Sequence, residues 1–178
     1  MPGYKKIKKQ LNYLFLNTVP NAAAGTEKWS RAGKAAEWTD MMNVKTVSHD
    51  YIEDESPTDV IEYYQPSVSV PLTAYKGDPV YEYVFGLYQK QDVSPNTATK
   101  VLRVFQSTNP QGKNIAQVTD CAVIIDNFNF ATGVITFMIK QCDAPVFGVA
   151  EVAAAMDTIP YELLSRVQPR VLRVLTQH

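Results

Sequence analysis

A chain of 178 residues, 46% of them hydrophobic, fits one domain with extensions and is apolar enough to bury a real core. Its formal net charge of −1 removes any global electrostatic case for binding nucleic acid or an anionic membrane. The charge is segregated, with Lys5, Lys6, Lys8 and Lys9 at the start, an acidic block from Asp50 to Glu62, and Arg166, Arg170 and Arg173 near the end. That distribution suits like subunits meeting head to tail, and equally suits plain solvated faces.

Residues 1–17 read as an arm with a hydrophobic patch, Tyr13-Leu14-Phe15-Leu16, too short for a signal segment or a membrane span. This implies a soluble protein kept in the cytoplasm until it assembles. Thr18 to Lys34 is loop-rich, with Pro20, Gly25 and Gly33, so the first 35 residues are expected to lie outside the core. From Glu37, the run Trp38-Thr39-Asp40-Met41-Met42-Asn43-Val44-Lys45-Thr46-Val47 predicts a strand. It leads into an acidic loop, Asp50 to Asp59, and returns along Val60 to Tyr75 as one long hairpin with a charged tip. On the returning strand Val68, Val70, Leu72 and Ala74 alternate with Ser67, Ser69 and Thr73, a period of two that gives one wet face. Pro66 and Pro71 remove two ladder donors, which puts that strand at an edge, or bends or bulges it there.

Lys76-Gly77-Asp78-Pro79 opens a helix over about residues 78–91: Gly77 permits the turn, Asp78 caps free amides and Pro79 suits the first helical position. Val80, Tyr83, Val84, Leu87 and Tyr88 form its apolar face, which should cover an open side of the sheet. Gly86 lowers helix propensity by roughly 1 kcal/mol relative to Ala, marking either close packing or a tolerated surface defect. Three strands follow, Lys100 to Gln106, Ile115 to Asp126 and Val134 to Cys142, and a last one over Val146 to Val152 closes the sheet system. A turn centred near Asn129 and Phe130 would place Cys121 opposite Met138 or Ile139. From Ala153 on the chain is a separate extension, with a short helix over Tyr161 to Val167 ended by Pro169. The domain plan is therefore an arm and loop over 1–36, a β body over 37–152 and an extension over 153–178.

Catalytic and metal chemistry find little material. Cys121 and Cys142 form no CxxC pair and have no histidines at metal spacing, so two buried reduced thiols are expected. Gly33-Lys34 resembles the end of a phosphate loop, but Lys28 stands where its first glycine belongs and Ala35 where a magnesium-binding hydroxyl belongs. The two histidines, His49 and His178, build neither a metal site nor a nucleophilic triad, and His49 reads as a surface partner of Asp50. Glu53, Asp54, Glu55, Asp59 and Glu62 lack the ligand spacing and central glycine of an EF-hand. No cofactor is expected. Seven of the ten tyrosines fall between Tyr51 and Tyr88, near Lys100 and Arg103, an arrangement that can stack bases. The adjacent acidic block favours instead tyrosines at subunit contacts or over a sheet.

The order of parts resembles the major tail tube protein of long-tailed, non-contractile bacteriophages. The matching features are Glu37-Trp38-Thr39 before a long hairpin, Asp50-Tyr51-Ile52-Glu53-Asp54-Glu55, Tyr64-Gln65-Pro66-Ser67, then Lys76-Gly77-Asp78-Pro79-Val80-Tyr81-Glu82-Tyr83-Val84 and the closing strands, over about residues 35–152. The resemblance implies a mainly β, sandwich or barrel-like core with one flanking helix and extended terminal arms. It also implies hexameric rings stacked into a tube that carries DNA, with the tape measure protein in the lumen and tail-tip and terminator proteins as partners. On that basis Asp50, Glu53, Asp54, Glu55, Asp59 and Glu62 are assigned to inter-ring or lumen contacts, and Lys5, Lys6, Lys8 and Lys9 to the arm that meets them. The location implied is the virion tail, assembled in the host cytoplasm, with no membrane partner. The alternatives are a monomeric β-sandwich binding module and a secretion-system tube ring of the same architecture.

Overall fold

The computed structural model describes residues 12–23, 25–49, 56, 58–108 and 114–150. Within them the chain runs β1 (Tyr13–Asn17), β2 (Trp29–Arg31), β3 (Thr39–Met41), β4 (Val44–His49), β5 (Thr58–Tyr64), β6 (Ser67–Thr73), α1 (Pro79–Lys90), β7 (Ala98–Thr108), β8 (Asn114–Asn129), β9 (Val134–Gln141) and β10 (Val146–Ala150). All the strand pairs are antiparallel. The main sheet has the order β2-β1-β7-β8-β9-β6-β3, with β10 also paired to β8, while β4 and β5 form a separate two-stranded sheet.

The sheet curls strongly. β7 and β3 are separated by three strands, so in a flat sheet they would lie about 19 Å apart at the usual inter-strand spacing. Yet Arg103 on β7 reaches Asp40 on β3, with Nη1 donating to Oδ2 over 2.9 Å. Only a sheet rolled towards a barrel brings those side chains together. Its concave face carries Val68, Val70, Leu72, Val101, Val123, Ile135, Phe137 and Ile139, and α1 adds Val80, Val84 and Leu87 to the same core. The predicted mainly β, barrel-like class with one flanking helix therefore holds.

α1 is capped as its sequence dictates. The Asp78 carboxylate accepts from the amides of Val80 (2.9 Å) and Tyr81 (3.3 Å), Pro79 is the first helical residue, and Gly77 has φ +89°. Glu82 reaches back and accepts from the Gly77 amide over 3.1 Å, satisfying one more donor at the entry. Gln91 closes the helix in the left-handed region, its amide donating to Leu87 and Tyr88 carbonyls. A Cβ added at Gly86 would meet nothing within 4 Å, which decides between the two readings of that glycine: it is a surface defect.

Four expectations are corrected. The first 35 residues do contribute to the core, because Leu14, Phe15 and Leu16 are buried and β1 pairs with β7. Leu14 and Leu16 face the concave core, while Phe15 packs on the opposite side with Leu102, Val104 and Ala116. A strand buried on both faces shows no alternation, so Tyr-Leu-Phe-Leu reads from sequence only as a patch. The long hairpin is broken in two: β3 pairs with β6 in the main sheet, and β4 with β5 outside it. The break falls where Asn43 (φ 45°) faces Gln65-Pro66, with Asn43 Nδ2 donating to the Gln65 carbonyl and to Ser67 Oγ, each over 2.9 Å. Cys121 lies opposite Gln141, not Met138 or Ile139, because the β8–β9 turn falls at residues 130–133 and β8 bulges between Ile125 and Asn127. Finally, only Cys121 is a buried thiol, and Cys142 is exposed. The acidic loop from Asp50 to Glu55, the Lys5 to Lys9 arm and the extension over 153–178 lie outside the described residues.

Candidate assembly surfaces

β6 becomes the partner of β9 along its whole length, but β3 covers its other edge only from Ser67 to Ser69. Beyond that, single contacts from Ala35 and Lys34 take over, beside Pro71, whose missing amide removes one donor. The sheet thus keeps an incompletely paired rim along residues 70–73, at the end of β6 away from the departure point of the hairpin.

The hairpin of β4 and β5 has no core of its own: every residue of both strands is exposed. Val44, Val47, Val60, Ile61, Tyr63 and Tyr64 are between 38% and 52% exposed, and the register places apolar side chains on both of its faces. An isolated two-stranded ribbon is marginal in water, and an open apolar edge invites another chain. Of the acidic residues assigned to contacts, Asp59 sits opposite Ser48 towards the far end of the ribbon, and Glu62 is the extra residue of a bulge between Ile61 and Tyr63. Both are exposed. Asp50, Glu53, Asp54 and Glu55, like Lys5, Lys6, Lys8 and Lys9, fall outside the described residues.

A cleft of about 820 Å³ opens at the base of the hairpin, walled by Tyr63, Tyr64, Phe105 and Phe147, with Arg103, Gln117 and Gln141 in its lining. Arg103 is only 4% exposed. Its Nη1 is held by Asp40, but Nε and Nη2 have no hydrogen-bond partner among the described residues, nor have Thr119 Oγ1 and Gln141 Oε1. A buried polar group that stays unpaired costs about 1–3 kcal/mol, more when charged. Burial pushes the Asp40 carboxyl above its usual range, and the Arg103 charge opposes that only in part.

The two cations placed near the tyrosines are both committed inside the molecule. Arg103 pairs with Asp40, and Lys100 Nζ meets Glu27 Oε1 at 3.2 Å. Burial raises the Glu27 pKa, but hydrogen bonds from its own amide and that of Gly25, together with Lys100, outweigh it and leave the carboxyl below its ordinary value. Arg103 is buried and the half-buried Lys100 is paired with Glu27, so neither is a free surface cation for a base. The tyrosines instead divide: Tyr81 and Tyr88 join Phe85, Phe128 and Phe130 in an aromatic patch between α1 and the β8–β9 turn. Sequence reasoning missed that patch and the Arg103–Asp40 closure, since both depend on how the sheet curls.

Among the described residues no group of three or more His, Cys, Asp or Glu could hold a metal ion, and no helix is long and apolar enough to cross a membrane.

No protein-family model matches the chain, and no curated protein matches it in sequence. The fold, however, is that of a tail tube subunit. It is similar to the hybrid solid-state NMR and cryo-EM structure of the SPP1 tail tube, at 14% sequence identity and a TM-score of 0.56, covering 83% of this chain and 81% of that one. A second likeness, to the six-fold symmetrised cryo-EM structure of the anti-feeding prophage baseplate, has 8% identity and a TM-score of 0.38 over 76% of this chain and 89% of that one, too distant to bear on the reading. The fold expected from the sequence resemblance to tail tube proteins is thus the fold observed.

Proposed function

We propose that the chain is a structural, non-catalytic protein of a phage tail, which assembles into hexameric rings stacked as a tube for the delivery of viral DNA. The observation that carries this reading is the exposed β4–β5 hairpin on a tail-tube fold: an apolar ribbon with open edges gains its stability from a neighbouring subunit. Ring closure removes exposed sheet edges that would otherwise template aggregation. In the tube, the loop from Asp50 to Asp59 meets the next ring or faces the lumen, with Glu62 beside it, and the Lys5, Lys6, Lys8 and Lys9 arm is its basic counterpart. Carboxylates facing the lumen repel phosphates, so that DNA slides without adhering. The tape measure protein occupies the lumen before DNA does, and tail-tip and terminator proteins cap the ends. The site of action is the virion tail after assembly in the host cytoplasm.

Negative-stain microscopy of the concentrated protein tests the reading. Rings or tubes are expected, and a monomer at all concentrations would favour a β-sandwich binding module instead. Replacing Glu53, Asp54 and Glu55 together with Lys should abolish polymerisation while leaving a folded monomer. Normal tubes from that variant would remove the acidic loop from the contact.

A further inference from the structure

We infer that the basic cleft at the Thr73 end of β6 receives the acidic end of the β4–β5 hairpin of a second copy of this chain. The inference rests on the tube reading and names the surface that the hairpin meets. The cleft has a volume of about 680 Å³, and Trp29, Arg31, Lys34, Tyr75, Lys76 and Asp78 are in its lining. Lys34 and Lys76 are exposed, and neither makes an ion pair among the described residues. Lys34 Nζ lies over the Tyr75 ring, 5.3 Å from its centroid, and Arg31 Cζ over the Tyr13 ring at 4.7 Å. An aromatic face orders a cation without neutralising it. The one carboxylate in the lining, Asp78, is turned to the helix, where its Oδ1 accepts from the Val80 and Tyr81 amides. Three cations therefore stand against one committed anion, on a surface that aromatic rings help to wall.

The occupant follows from charge and from placement within the chain. Residues 50–62 carry six carboxylates, Asp50, Glu53, Asp54, Glu55, Asp59 and Glu62, and no lysine or arginine. Of these, Asp59 and Glu62 are exposed on β5, on a ribbon whose apolar side chains are uncovered. The ribbon leaves the sheet where β3 and β6 meet it, at Met41 and Ser67, whereas Thr73, at the other end of β6, donates its amide to the Lys34 carbonyl beside the cleft. Six residues of strand at about 3.3 Å each put roughly 20 Å between the root of the hairpin and the cleft, and the acidic end lies a further ribbon length from that root. Acidic and basic surfaces thus belong to opposite ends of β6, an arrangement that joins copies head to tail and propagates. Several exposed charge pairs fix the orientation and register of such a contact, and the exposed Tyr75 offers ring surface to the uncovered side chains of the ribbon.

Carbodiimide coupling of tubes grown from isotope-labelled and unlabelled parent protein tests the contact without a substitution, because only amides between different subunits combine the two labels. Mass spectrometry should find Lys34 or Lys76 joined to a carboxylate of residues 50–62 in such mixed pairs. In parallel, Lys34→Glu/Lys76→Glu and Glu53→Lys/Asp54→Lys/Glu55→Lys should each raise the concentration needed for assembly by about tenfold or more, with the monomer unfolding in urea as the parent does. Mixed in equal amounts, the two variants should assemble near the parent's concentration, since each then offers the other the opposite charge. Tubes in which neither lysine is joined to residues 50–62 of another subunit, Lys34→Glu/Lys76→Glu protein that assembles at the parent's concentration, or a mixture no better than its components overturns the cleft and leaves the tube reading standing. A parent protein that never assembles overturns the tube reading, and the cleft with it.

Discussion

Leu87 offers the sharpest test of how α1 is placed. It is 5% exposed and shares the concave core with Val80 and Val84, both fully buried, so its side chain is committed to the sheet and not to solvent. Truncating such a leucine to alanine removes its transfer energy and leaves a cavity, together about 2–5 kcal/mol. Leu87→Asp adds a carboxylate that finds no cation near it in this core, a further cost of several kcal/mol unless the group is neutralised. The sum approaches the whole stability of an ordinary domain, about 5–15 kcal/mol. Leu87→Ala should therefore give a soluble, folded monomer whose denaturant midpoint falls at unchanged slope, and Leu87→Asp should go to the insoluble fraction. Circular dichroism and urea unfolding of the two variants beside the parent decide it. A soluble, fully folded Leu87→Asp protein would mean that α1 does not pack on its own sheet, as would a Leu87→Ala cost below about 1 kcal/mol.

Gly86→Ala, one residue away, should act in the opposite direction: its Cβ enters open space, so helix propensity adds about 1 kcal/mol and raises Tm by about 2–4 °C. Asp40→Asn should destabilise by about 3 kcal/mol because it strands the buried Arg103 charge, and adding Arg103→Met should recover much of the loss in a double-mutant cycle read by urea unfolding. Thiol titration of the dispersed monomer with an aromatic disulfide reagent should count one reactive cysteine, Cys142, and two after denaturation, since burial pushes the Cys121 thiol far above its usual range. Burial also raises the Tyr83 hydroxyl from 10.0 to about 12. The native state then holds that proton more tightly than the unfolded chain, so stability is level below pH 10 and falls as pH rises from 10 towards 12, a trend that Tyr83→Phe should lessen.

How much was legible from sequence follows from which signals are local. α1 was readable to within a residue at each end because its cap, its proline and its apolar face all lie within fourteen consecutive positions, about three to four turns of helix. β6 and β9 were readable because each buries one face and alternates. β1 was not, because neither of its faces meets water once Phe15 and Leu16 are both covered. The split of the long hairpin at Asn43 and Pro66 needed the knowledge that two short stretches would pair with different neighbours, which composition does not encode. The candidate site was half visible: acidic residues declare themselves in sequence, but the Arg103–Asp40 pair depends on β7 and β3 approaching across a curled sheet.

The pairing of β1 with β7 has a consequence for how the chain is made. β1 meets β2 within about sixteen residues, Phe15 lying opposite Arg31, but Tyr13 lies opposite Val104, so its second neighbour arrives only about ninety residues later in translation. At ordinary ribosomal speeds of about 5–20 residues per second, that is a wait of roughly 5–20 s. During it the β1–β2 pair lacks the strand that covers the other edge of β1. The β1–β2 and β3–β6 pairs can form early, but they join into one sheet only through β7, β8 and β9, which puts closure of the main sheet late in synthesis and leaves unfinished copies open to premature association.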